Sequence, residues 1–123
     1  MTVRGVLIGE SLLLGKALDG FALTAKKVWR SETGDVAAGQ PRIWTFIEFE
    51  APSHEAEPLA AALSESLDPH TGWYCDFHSD AETWVVFAGR TFRYRRGDAA
   101  ARAEATAYGR QLGTPEPQLD WPD

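Results

Sequence analysis

The chain predicts an α+β fold: a single antiparallel-rich sheet of about five to six strands with two helices on one face, ferredoxin-like or permuted ferredoxin-like. Three observations carry that expectation. Runs of β-branched and aromatic residues alternate with period two in several places. Two segments carry apolar residues at helical spacing. The order is strand, strand, strand, helix, three strands, helix, whose middle has the strand–helix–hairpin–helix layout. At 123 residues the chain fits one domain, 1–123, with a C-terminal tail, 114–123, packed back on the body.

Thr2 to Leu14 reads as the first strand, with Val3, Leu7 and Ser11 on one face and Val6, Ile8 and Leu12 on the other. Apolar residues on both sides predict cover on both sides. After a Gly-containing loop, Phe21 to Glu32 forms a second strand, and its adjacent lysines, Lys26 and Lys27, suit an edge. Residues 31–41 are the longest irregular stretch, a hairpin loop long enough to be mobile or functional. Arg42 to Glu50 is the clearest strand: Ile43, Thr45, Ile47 and Phe49 point one way, and Trp44, Phe46, Glu48 and Glu50 the other.

Ser53 to Leu67 is an amphipathic helix with a Leu59, Leu63, Leu67 stripe, capped by Ser53, with Pro58 suited to the first helical position, where the regular helix would begin. The residue before Pro69 ends it. Gly72 to Arg96 then forms a three-stranded meander with turns at Ser79–Glu82 and Ala88–Gly89. A two-residue turn at Asp80-Ala81 sets His78 opposite Thr83, Asp76 opposite Val85 and Tyr74 opposite Phe87. Asp98 caps the second helix, whose stripe is Ala101, Ala105, Tyr108 and Leu112, and Gly113 stops it.

This alternation sorts the meander into two faces. One collects Tyr74, Asp76, His78, Val85, Phe87, Phe92 and Tyr94; the other collects Trp73, Cys75, Phe77, Trp84 and Val86. Two helices on one face leave the second for a dimer mate, the tail or a ligand. The expected function is therefore that of a non-catalytic, self-associating interaction module, a homodimer joined through the second face. The alternative is a binding domain, or cofactor-free enzyme, with a pocket on that face among Trp44, Phe46, Glu48, Tyr74, Asp76 and His78. Arg90, Arg93, Arg95 and Arg96 would then admit a small anionic ligand, because guanidinium forks pair with carboxylate and phosphate. Their competing role is a charged edge paired with helix carboxylates.

A net charge of −6 and a pI near 5.0 argue against nucleic-acid binding. One cysteine rules out an internal disulfide and suits a reducing cytoplasm. No signal-peptide layout and no membrane-length apolar run occur. Cys75 and His78 invite a metal reading, but three residues apart on a strand they point to opposite faces, so no metal site and no cofactor is expected. No nucleophile or nucleotide-binding motif is present. The absence of asparagine and the preference for Arg over Lys suggest a GC-rich bacterial source. The segments GWYCDF, TWVVFAGRTFRY and QLDW resemble small bacterial domains of unknown function, a likeness that implies no activity.

Overall fold

In the computed structural model, which describes residues 1–122, the elements are β1 (Thr2–Ile8), β2 (Thr24–Glu32), β3 (Ile43–Pro52), α1 (Ala56–Ser66), β4 (Tyr74–His78), β5 (Glu82–Phe87), β6 (Arg90–Arg95) and α2 (Ala99–Gln111). The strands form one six-stranded sheet in the order β2-β3-β1-β4-β5-β6, and every adjacent pair is antiparallel. The fold is thus α+β. Since β3 and β4 both run antiparallel to β1, α1 connects two strands with β1 lying between them. No helix among the described residues is long and apolar enough to cross a membrane.

One expectation is corrected by the placement of the helices. Leu59, Ala60 and Leu63 of α1 pack with Cys75, Phe77, Trp84 and Val86, whereas Ala105 of α2 packs with Val85, Phe87 and Tyr94. Strand alternation makes these opposite faces, so the helices divide between the two sides instead of sharing one. A ferredoxin-like arrangement keeps its helices together, and this sheet does not have it. The physical reason lies in the two-sided apolar character of β5, in which Thr83 through Phe87 are all buried. A single layer of helices would leave half of those side chains in water.

Local chemistry sets the element ends. β1 stops at Ile8 because Gly9–Ser11 forms a 3-10 turn, shorter than the strand expected to Leu14. There the Glu10 carboxylate accepts the Thr45 N–H at 2.6 Å and the Thr45 hydroxyl at 2.9 Å. These bonds outweigh the cost of burial and hold Glu10 below the usual carboxylate range. The segment that follows crosses the α1 face, where Leu18, Phe21 and Leu23 join the core. Ser53 does not cap α1: residues Ser53–Glu55 form their own 3-10 turn and the helix begins at Ala56. Glu55 instead accepts the Ala22 N–H at 2.8 Å. Pro58 sits in the first turn, where its missing N–H has no helical partner to lose. Asp98 does cap α2, accepting the Ala101 N–H at 3.0 Å, and Gly113 (φ +88) ends it.

Beyond α2 the C-terminal segment returns across the same sheet face. Thr114 donates to the Gly72 carbonyl at 2.7 Å, and Trp121 is 2% exposed. Leu112, expected as a core anchor, is 36% exposed. Leu119 takes its place: a Cβ on Gly109 would lie 2.7 Å from Leu119 Cδ2, so the glycine leaves the leucine side chain room to settle against the helix.

Candidate functional site

The β4–β5 register is as the turn chemistry predicts: His78 opposite Thr83, Asp76 opposite Val85, Tyr74 opposite Phe87. Ser79 and Glu82 close the two-residue turn through the Ser79 N–H to Glu82 carbonyl bond at 2.9 Å. Asp76 and His78 therefore share a face with Tyr74, while Cys75 is buried on the α1 side. Among the described residues no group of three or more His, Cys, Asp or Glu side chains is placed to hold a metal ion.

The second face is covered over only part of its width. Val85, Phe87, Phe92 and Tyr94, expected to form an open interface or pocket surface, lie beneath α2 and the tail and form a second core with Trp121. Towards β1, β3 and β2 the cover stops. The gap is a cavity of about 480 Å³ between the sheet and the C-terminal segment.

Five separate parts of the chain build this cavity. Val6 and Ile8 come from β1, Trp44 and Phe46 from β3, Trp29 from β2, and Tyr74, Asp76 and His78 from β4. Gln118, Asp120 and Trp121 come from the tail. Register brings the strand residues together, since Val6 pairs with Asp76 and Ile8 with Phe46, and Phe46 pairs with Trp29. Trp29 and Phe46 stack with ring centres 5.0 Å apart and planes 5° from parallel. Trp44 stands 4.9 Å from Trp73, fixed by its indole N–H donating to the Pro41 carbonyl at 2.7 Å.

Five of the six expected pocket residues line it: Trp44, Phe46, Tyr74, Asp76 and His78. Glu48 does not. It is exposed, further along β3 than Trp44 and Phe46, opposite both Val6 and Lys27. Trp73, expected on the Cys75 face, instead lines the cavity. It precedes the first paired residue of β4, Tyr74, and follows Gly72 at φ +74, so strand alternation does not govern it.

The loop between β2 and β3 forms part of the enclosure. Gln40, 7% exposed, donates to the Thr71 carbonyl at 2.8 Å and accepts the Ala37 N–H at 3.0 Å. The Gln118 amide donates to the Asp35 carbonyl at 2.7 Å and to the Gln40 side chain at 3.1 Å. The loop is thereby docked on the tail. Tyr74 contributes a further tie, its hydroxyl donating to the Gln118 carbonyl.

The electrostatics of the floor follow from burial. Asp76 is pushed up to about 7 by burial and then by the nearby Asp120 carboxylate, against its own backbone N–H and Arg102, which pull it down. Burial, Asp76 and Asp120 push the Tyr74 phenol up. Burial, Arg96 and Arg4 hold His78 below its ordinary value, so its ring is neutral at pH 7. Its Nδ1 is buried without a hydrogen-bond partner among the described residues.

The four arginines of the meander are not brought together. Strand alternation turns Arg93 towards α1, where Glu82 binds it at 2.8 Å and Glu57 also pairs with it. Arg90 lies on the other side, 4.6 Å from the Phe92 ring and 5.2 Å from the Tyr108 ring. Arg95 and Arg96 are exposed. None of the four lines the aromatic cavity, so the geometry favours their role as a charged edge. Comparison with models of protein families, with curated proteins and with solved structures gave no match. What fold and site define is an α+β domain with an aromatic cavity between its sheet and its C-terminal segment.

Proposed function

We propose that the domain binds a small organic molecule in the cavity between the sheet and the C-terminal segment. One observation carries this reading: five sequence-distant segments converge on a recess of about 480 Å³ with aromatic walls and a few polar groups on its floor. That volume lies within the range of small-molecule sites, and such sites pair an apolar lining with few orienting polar groups. Packing alone gives no reason to leave room beside Asp76 and His78 when four tryptophans are available to fill it.

Ligand-observed NMR against neutral, cationic and anionic aromatic fragments tests this. Hits that compete with one another for one saturable site support it. A screen in which no fragment binds, at concentrations up to about 1 mM, contradicts it.

Self-association through the outer part of the same sheet is a second reading. It is favoured by Val28 and Ile43, which are 60% and 49% exposed on the β2 and β3 end of the sheet, β2 being an unpaired edge. An open strand edge offers its N–H and C=O groups for pairing with a second copy. Sedimentation showing only monomer at tens of micromolar, on the order expected for ordinary homodimers, contradicts that reading and leaves the first intact.

A further inference from the structure

The charge of the cavity restricts its ligand. Among the described residues, the only formally charged side chains lining it are the two carboxylates Asp76 and Asp120. Much of the remaining wall is aromatic, with Trp29, Trp44, Phe46 and Trp73 beside aliphatic and proline side chains, and the faces of aromatic rings carry negative potential. One of these faces already attracts a cation at the rim, where the Lys27 ammonium stands 4.5 Å from the centre of the Trp29 ring. An anion entering this recess would meet two carboxylates with no arginine or lysine among the lining groups.

We propose that the ligand is an organic cation, a quaternary or tertiary ammonium on an apolar or aromatic body, held by Asp76 and Asp120 and by the ring faces of Trp44, Phe46 and Trp73. This rests on the binding reading given above and narrows it. It reverses the expectation of an anionic ligand, because the arginines that prompted that expectation lie elsewhere. Ring faces and carboxylates together recognise an ammonium without hydrogen bonds from the cation, through cation–π attraction in a partly desolvated site.

Binding is linked to protonation. Asp76 is faced by Asp120 from the tail, Arg102 from α2, and Tyr74 and His78 on its own strand, His78 in turn standing opposite Arg4 of β1. In the free protein its carboxyl is half protonated near pH 7. A bound cation favours the ionised form, so cation affinity rises as pH increases from 6 to 8.

The test is calorimetric titration of the full chain with three probes of matched shape: benzyltrimethylammonium, its neutral isostere neopentylbenzene, and benzylsulfonate. The expected result is that the ammonium binds about tenfold or more tightly than either of the others. Asp120→Asn is expected to weaken the ammonium by about tenfold while leaving neopentylbenzene unchanged. Asp76→Asn is expected to flatten the dependence of ammonium affinity on pH. Equal binding of neopentylbenzene, or preference for benzylsulfonate, overturns the cation inference and leaves a small-molecule pocket standing. Binding of none of the three, in protein shown to be folded by circular dichroism, overturns both.

Discussion

The indole N–H of Trp121 donates to the Tyr94 hydroxyl at 2.8 Å in the buried layer between β6 and the C-terminal segment. Around this bond the Trp121 ring packs edge-on against Tyr74 at 5.2 Å, and the Arg102 guanidinium lies 5.2 Å from it while donating to the Trp121 carbonyl at 2.7 Å. The tail is therefore a structural layer and, at the same time, one wall of the cavity. Trp121→Ala is expected to cost about 3–5 kcal/mol, the usual range for removing a buried tryptophan. Urea unfolding measures the loss, and a change under 1 kcal/mol would mean that the tail is not anchored there.

Gly5 of β1 stands opposite Phe77 of β4. A Cβ there would lie 2.3 Å from the Asp76 carbonyl oxygen and 2.7 Å from Phe77 Cβ, so the two backbones cannot keep their spacing around even one methyl group. Gly5→Ala is expected to destabilise by about 1–3 kcal/mol or more. It should also weaken ligand binding, since the displaced strand carries Asp76. A chemical-denaturation midpoint unchanged from the parent contradicts the strand spacing.

The faces of the meander were legible in the sequence because two turns and a strict alternation leave one register. A single-residue slip would have sent Phe77, Trp84 and Val86 to the wrong side of the sheet. The sides taken by the helices were not legible. Half of the stripe of α2 is alanine, which packs against either face, and the tail residues that complete its layer, Leu119 and Trp121, are separated from it by a loop. Alternation alone groups Tyr74 with Asp76 and His78 on β4, and Trp44 with Phe46 on β3. It does not place Asp120 and Gln118, because their position depends on how the chain returns after Gly113. The signal available was a short polar segment closing on a tryptophan, which indicates packing without saying what its neighbours face.

The Asp76 carboxyl connects folding to pH. Its folded value, about 7, lies above the ordinary value of 3.8 for the unfolded chain, so the folded state binds the proton more tightly. The resulting stabilisation is fully present below pH 4 and is lost as pH rises through 7. On this group's account the parent loses on the order of a few kcal/mol between pH 4 and 8. Asp76→Asn removes that loss, and its stability relative to the parent should increase with pH. Parallel denaturation curves for the two proteins across this window contradict a buried Asp76.

Cys75 is 1% exposed, packed beneath α1, and burial followed by the Asp76 charge pushes its thiol well up. Thiol reagents require the thiolate and access to it. Modification by a disulfide reagent at pH 8 is expected to be slow in the folded protein and fast once urea unfolds it. Immediate stoichiometric labelling of the folded chain contradicts the placement of β4.

Four of the five tryptophans, Trp29, Trp44, Trp73 and Trp121, line the cavity, and Trp84 lies on the opposite face beneath α1. Their indole N–H resonances therefore form an internal control for where a ligand sits. Titration of ¹⁵N-labelled protein with a fragment that binds should shift the resonances of the four and leave Trp84 in place. Movement of Trp84 alone, or of none of the five during saturable binding, would contradict the assignment of this cavity as the binding site.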